Sequence, residues 1–417
     1  MKRIARYIPL LAMFSFALEL PAQLATASTA KIPVRALGAI RAASKDSMGP
    51  QVVVRALSNG SVLINDIARR RVVMFDAALG NEKTVIDSAG TTGSAMATQI
   101  PSAQLMRYTA DSTLYIDVAT QALLVLDPSG KVARVMALPR PTDAILMATG
   151  SLGLAAMDPQ GRLIYRGQYP PKVKPPEPGS TLLFSIPVSP DSGPLLRADF
   201  DARKVDTIGT VKIVAPGAIT MTQDGQGNMT MKTTVDLLAT ADEFGILPDG
   251  SIAIVRAHDY HVDWIEADGS RRSTPKMAFD WRRLSDEQKQ TKIDSMMKVL
   301  ETQIASRPQV TIPTASGPRK LIPQIDFVPV SKMADYMPPI APGSLKVDLK
   351  GNLWIVPRTS SSAAGGVLYD VVGKDGEVKE RVQFPKGYAL AGFGEKDEVY
   401  VLRIEGKTGF LEKAKLR

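Results

Sequence analysis

The chain contains no cysteine. Disulfides, thiolate metal sites, a cysteine nucleophile and an acylated N-terminal cysteine are therefore excluded. No HExxH, phosphate-binding loop, GxSxG or dinucleotide fingerprint occurs, so the common signatures of metalloprotease, nucleotide and α/β-hydrolase chemistry are missing. There are two histidines, His258 and His261, in "AHDYHVDW". In a strand–turn–strand setting their i and i+3 side chains need not converge, so we read them as hairpin residues in ordinary hydrogen bonds rather than metal ligands. "TQDGQGNMT" (222–230) has too few carboxylates for a calcium loop and is read as a tight turn. There is no arginine-rich arm and no nucleic-acid-binding motif, and no run after the N-terminal segment approaches the ~20 apolar residues that span a bilayer.

What the chain does have is material for a core. Of its 417 residues, 44% are hydrophobic and 22% charged, which is globular and not disordered composition. Its first 30 residues form a signal-peptide pattern. Lys2, Arg3 and Arg6 precede the apolar stretch Ile8–Leu20, and small residues follow, so cleavage is expected after Ala27 or Ala30. The expected product, 31–417, is exported to the periplasm or the exterior, without stable membrane insertion. Removing residues 1–30 takes away three basic and one acidic residue, and the net charge falls from +9 to +7. Such an excess suits anionic envelope polymers or acidic ligands; nucleic acid is not an expected partner.

A two-burst pattern recurs along the chain. First bursts are "GSVLIND" (60–66), "DSTLYID" (111–117), "GRLIYRG" (161–167), "GSIAIVR" (250–256), "GNLWIVPR" (351–358) and "DEVYVLR" (397–403). Each starts on a turn residue and runs into β-branched or aromatic residues, which is strand composition. Second bursts follow at 72–80, 122–130, 194–204, 261–270, 367–376 and 409–416. Asp-Gly and Pro-Ser-Gly turns between alternating apolar runs mark hairpins, because Gly or Asx accepts φ > 0 there. First bursts stand 51, 50, 89, 101 and 46 residues apart. An interval near 50 holds four short strands, and the two long intervals carry insertions. A four-stranded meander cannot bury both faces alone, whereas several arranged radially can.

On these twelve bursts, which extend over nearly the whole of 31–417, the chain resembles the secreted bacterial six-bladed β-propellers of the TolB-like and NHL-like superfamily. The resemblance implies an all-β fold, a six-bladed β-propeller with a central channel, here carrying one inserted helix and proline-rich loops. Ring closure falls to an N-terminal strand, "QVVVRAL" (51–57) or "IPVRALGAI" (32–40), pairing into the last blade and removing two exposed edges. The first insertion, about 168–193, is too rich in proline for a sheet. The second, 279–343, holds a helix over 285–305. Ser285 and Gln288 form a capping box, Ile293, Met297, Leu300 and Ile304 share one face, and Pro308 ends it.

In such folds equivalent strands lie parallel around the channel, so the ends of the first bursts share one mouth. Arg166, Arg256, Arg358 and Arg403 end four of them, and Asp66 and Asp117 end two, with Asn65 beside Asp66. This suggests an anion-binding mouth, helped by Tyr165 or Trp354, and a non-catalytic exported platform for a protein, peptide or anionic small molecule. No cofactor is expected on that reading. The alternative is a propeller hydrolase or lactonase with Ca²⁺ at the channel, to which Asn65, Asp66 and Asp117 would contribute and which the arginines would oppose. No residue pattern sets an oligomeric state.

Overall fold

The computed structural model of the chain describes residues 32–87, 105–118, 120–149, 154–169, 190–214, 219–224, 228–305, 310–314, 317–360 and 363–417. The expected signal segment lies outside these residues, as does most of the proline-rich stretch 168–193. The chain divides into two units, Met1–Ile32 and Pro33–Arg417, and the second is described here.

Four-strand meanders form because short β-branched runs alternate with turns that cannot extend. Aspartates hold many of these turns. Asp76 accepts from Ala78 N and Gly80 N, both at 2.9 Å. Asp158 does the same for Gln160 and Arg162, and Asp348 for Lys350 and Asn352. Each carboxylate satisfies two backbone donors the turn would otherwise leave unpaired.

The first sheet pairs Val52–Ala56, Val62–Asp66, Arg71–Phe75 and Lys83–Ile86 in that order. The second pairs Met106–Arg107, Thr113–Asp117, Ala122–Leu126 and Val132–Ala137. The third pairs Ala156–Met157, Leu163–Arg166, Ser192–Asp199 and Lys204–Lys212, and the fourth Glu243–Ile246, Ile252–Arg256, His261–Ile265 and Arg271–Ser273. The fifth, Leu345–Val347, Leu353–Ile355, Leu368–Val372 and Val378–Gln383, is joined edge to edge with the sixth, Tyr388–Phe393, Glu398–Glu405 and Thr408–Leu416. The joint is the N-terminal strand Val34–Ala43. It pairs antiparallel with Thr408–Leu416, from Leu37↔Leu416 to Ala43↔Glu412, and parallel with Val378–Gln383 through Val34–Ala36. Of the two segments expected to close the ring, "IPVRALGAI" therefore supplies the closing strand, while "QVVVRAL" opens the first sheet.

Packing between sheets runs in a cycle. One buried cluster joins the first and second sheets through Leu63, Met74, Tyr115 and Leu124, and another the second and third through Ile116, Leu123, Leu163 and Leu196. Ile164 and Leu195 meet Ile252 and Ile254; Val255 and Trp264 meet Leu353 and Val372; Trp354 and Val371 meet Leu390 and Val401. The last cluster returns from Ala391 and Leu411 to Val54 and Ile64 of the first sheet. Burying one such Leu, Ile or Val contributes about 1.5–3 kcal/mol, so these faces outweigh the weak strand propensities. Sheets stacked face to face around one axis make a β-propeller.

The innermost strands approach one another closely, and glycine permits it. A Cβ on Gly392 would stand 2.8 Å from the Val54 carbonyl oxygen, and one on Gly245 2.4 Å from Val347 Cγ2. The first bursts are therefore not the axial strands expected from the resemblance. They are the second strand of each sheet, and the axis is lined by the strand that precedes each of them.

The long intervals come together as an extra sheet. Ile219–Gln223 and Met229–Val235, between the third and fourth sheets, meet Gly317–Phe327 and Val310–Thr314, between the fourth and fifth. The central pairing is parallel, Thr230↔Ile322 among others. A 20-residue helix, Asp286–Ala305, precedes its later half. Ser285 N donates to Gln288 Oε1 at 2.9 Å, and Gln288 N to Ser285 Oγ at 3.2 Å, so the two side chains cap reciprocally. Ile293 packs against Leu238, Leu284 and Met333. No described helix is long and apolar enough to cross a membrane.

Candidate functional site

Antiparallel pairing fixes which residues share an end of the ring. Asp66 lies opposite Val52, the start of an inner strand, and Arg403 opposite Tyr388. Arg166 and Asp117 likewise lie at the far end from Leu163↔Met157 and Thr113↔Arg107. The charged ends of the first bursts thus occupy the face where inner strands begin.

At that face most of these side chains are engaged locally. Asp66, fully buried beside buried Asn65, accepts from Gly49 N at 3.0 Å and from Arg71 Nε at 3.4 Å. Asp117 accepts from Thr120 Oγ1 at 2.6 Å. Arg256 spans Asp263 at 2.7 Å and Asp242 at 2.6 Å. Burial pulls the Arg256 pKa down, but those two bonds outweigh it and leave it raised. Arg403 pairs with Glu412 at 2.7 Å and with Glu405, and stacks over Phe410. Arg358 donates to the Ile340 carbonyl at 3.1 Å. Arg166 is buried near Asp143; burial lowers its pKa, and the Asp143 charge opposes that. His261 bonds Asp259 at 2.7 Å and Asp263 at 3.1 Å. The structure therefore spreads the seven expected mouth residues around one face, Asn65 and Asp66 on one strand and the others on five further sheets or just beyond their strands, most bound to neighbours of their own.

The same face holds a residue that the motif search passed over. Glu243 begins the inner strand of the fourth sheet and is 1% exposed. Burial pushes its pKa up to about 8, against hydrogen bonds from Gly343 and Leu345 of the fifth sheet. Gly343 N lies 2.9 Å from Oε1.

The axial cavity opens at the other end, where inner strands finish. Its wide part, about 580 Å³, is bounded by Arg107, Leu247, Asp348, Lys350, Trp354 and Phe393. It continues into a narrow part of about 190 Å³ between the second, third, fourth and fifth sheets. Arg107, Ala156, Ile246 and Val347 line both. The narrow walls are mainly apolar, with Met106, Leu154, Phe244 and Leu345 among them. Two side chains there are cationic, Arg107 and Lys346, and among the described residues no carboxylate lines it.

Lys346 is the chemically distinctive group. It keeps part of its surface on the channel, yet protein surrounds it and desolvation lowers its pKa. It forms no hydrogen bond or ion pair with a described residue. Such an amine spends more of its time neutral than a surface lysine and can accept a proton or receive an anion. The alternation Leu345-Lys346-Val347 was its only sequence signal, and in a short strand that reads as an ordinary outward polar residue. Trp354, expected to serve the arginine-bearing mouth, lines the wide cavity instead and donates to Asp348 at 3.0 Å. Tyr165 is fully buried and bonds Asp143 at 3.2 Å.

No protein-family model matches this sequence, and no curated protein matches it. Solved structures do align with it. A luciferin-regenerating enzyme is 11% identical, with 92% of this chain and 95% of that one covered and a TM-score of 0.39. A gluconolactonase from Xanthomonas campestris is 9% identical, covering 93% and 99%, with a TM-score of 0.41. A calcium-binding regucalcin from Agrobacterium tumefaciens is 12% identical, covering 92% and 97%, with a TM-score of 0.39. The expectation of a non-catalytic binding platform is corrected here: two of these three structures are named as enzymes, and the hydrolase or lactonase alternative is the reading carried forward. The placement of the chemistry rests on this chain's own residues.

Proposed function

We propose that the chain is a six-bladed β-propeller hydrolase or lactonase that works in its axial cavity, with the Lys346 amine as proton acceptor. The observation that supports this is a lysine without a bonded partner among the described residues, held in an apolar channel where burial lowers its pKa. A neutral amine takes a proton from water; the resulting hydroxide adds to the ester or lactone carbonyl. The ammonium then returns the proton to the departing alkoxide. Arg107 supplies a positive charge beside the developing oxyanion. The calcium of the original alternative has no fitting donor set in Asn65, Asp66 and Asp117. Asp66 is contacted by Arg71 and Arg69, Asn65 and Asp66 belong to the first sheet and Asp117 to the second, and no group of three or more His, Asp or Glu among the described residues could hold a metal. No step is routed through a cation.

A panel of lactones and esters tests the reading. Wild type should turn over at least one class, with the rate rising with pH through the lowered lysine pKa. Lys346→Met should lose about 10²–10⁴-fold in kcat, the usual contribution of a positioned base. No turnover across the panel, or an unimpaired Lys346→Met, defeats the proposal. The TolB-like and NHL-like placement and export belong to the same proposal, supported by the burst pattern and the N-terminal charges. N-terminal sequencing of the protein recovered from cells should find a start at Ser28 or Lys31.

A further inference from the structure

We propose that the narrow part of the axial cavity is a binding site for a small apolar monocarboxylate, its carboxylate seated on the Lys346 amine as the ammonium. The argument begins with composition of the walls. Apolar side chains from four sheets surround the space, two cations enter it, and no described carboxylate lines it. Arg107 feels the charge of Asp111 outside it, whereas no described carboxylate acts on Lys346. An ammonium in such a place is missing the hydration it would have in water, and Lys346 has no described partner that replaces it. A carboxylate would supply that partner. An uncharged ligand would leave the cation unanswered, and a ligand with a large polar body would lose hydration against Phe244, Ile246 and Met106.

Volume limits the body. The narrow part, about 190 Å³, has room for several water-sized groups, and a carboxylate on a short alkyl chain, such as pentanoate, is the probe matched to it. Arg107 stands where the wide part meets the narrow one, is exposed, and forms no hydrogen bond or ion pair with a described residue. It raises the local concentration of anions at the entrance to the narrow part.

This site names the product class of the proposed reaction and rests on that reading in that respect. Hydrolysis of a lactone breaks the acyl C–O bond, forms a new one to the oxygen of water, and leaves a hydroxy acid. The acid's proton passes to the amine, so product and Lys346 part as carboxylate and ammonium. Binding of the carboxylate requires no turnover and can be measured alone.

The experiment is calorimetric titration of the full-length protein with pentanoate at low salt, with pentan-1-ol as the uncharged control. Wild type should bind pentanoate at least about tenfold more tightly than the alcohol, the scale of one charge-assisted hydrogen bond. Lys346→Met and Lys346→Gln should lose that preference while their thermal unfolding stays cooperative. Arg107→Gln should weaken pentanoate binding and flatten its salt dependence. Equal binding of acid and alcohol, or equal pentanoate binding by wild type and both Lys346 variants, overturns the proposal. If pentanoate binds as described and no lactone is turned over, the hydrolase reading fails and the site stands. If lactones are turned over and pentanoate does not bind wild type, the site fails and the hydrolase reading stands.

Discussion

Glu243 carries a proton where most glutamates do not. Its carboxyl lies at the start of an inner strand, out of contact with water, and accepts bonds from the backbone of the next sheet. Burial dominates those bonds and pushes its pKa from 4.5 up to about 8. Between these two values the folded chain binds more protons than the unfolded one, so stability is fullest below about pH 4.5 and falls as pH rises towards 8. The loss from this one group is on the order of 5 kcal/mol, because each tenfold change in proton affinity is worth about 1.4 kcal/mol. Glu243→Gln keeps the acceptor for Gly343 and cannot ionise. Denaturant titrations at pH 5 and pH 8 should show a smaller stability difference in the variant than in wild type. The same difference in both proteins would mean that Glu243 ionises freely when folded. Neither Glu243 nor Lys346 was legible as a site residue in the sequence. What distinguishes them is desolvation, and desolvation is a property of everything packed around a side chain. Arg256 shows the converse. A strand-end arginine looked available, but Asp242 approaches from 14 positions earlier in the chain and occupies it.

Elements were legible where a segment carried its own reason to form. Reciprocal Ser285–Gln288 capping and the helical spacing after it are local, and the helix Asp286–Ala305 has both. Second and third strands of the sheets are long apolar runs between turn residues and could be read directly. Of the inner strands only Val52–Ala56, within "QVVVRAL", could be read as a strand; the others could not. Met106–Arg107 and Ala156–Met157 are only two residues long, too short to show alternation, and they are held by neighbouring sheets more than by their own composition. Close approach is what shapes them, and this can be tested at Gly392. Its missing Cβ would meet backbone, the Val54 carbonyl oxygen, and backbone cannot swing aside as a side chain can. Gly392→Ala should cost about 1–3 kcal/mol, the usual penalty for overpacking. Urea unfolding would read this as a lower midpoint at unchanged slope; an unaltered midpoint would mean the two strands separate at no cost.

At the scale of the molecule, one strand from the beginning of the described chain holds its end. Val34–Ala43 lies against Thr408–Leu416, and its first three residues also reach Val378–Gln383. Pairing across so great a separation orders nearly the whole chain, an entropic cost recovered only because the cluster containing Val54, Ile64, Ala391 and Leu411 becomes buried. Ala42 and Lys413 are directly opposite across this seam. The chain has no cysteine of its own, so Ala42→Cys with Lys413→Cys makes a single unambiguous pair. Its disulfide should raise Tm relative to the reduced form of the same variant, by removing freedom from the opened chain. No difference between oxidised and reduced forms would show that unfolding does not begin by opening the seam.

The order of apolar bursts and turns, read alone, determined that this chain makes short strands in repeated meanders with two long intervals. It did not show the strands Ile219–Gln223 and Met229–Val235, where 222–230 reads as a tight turn. Hairpin pairing is local, and local pattern specifies it. Only the tertiary structure decided which strand of each meander faces the axis, how Met229–Val235 and Gly317–Phe327 find each other across an intervening sheet, and which charges remain without partners. Those outcomes depend on contacts between residues tens to hundreds of positions apart. Repetition in sequence says that such contacts will form, whereas packing selects the side chains that are desolvated by them.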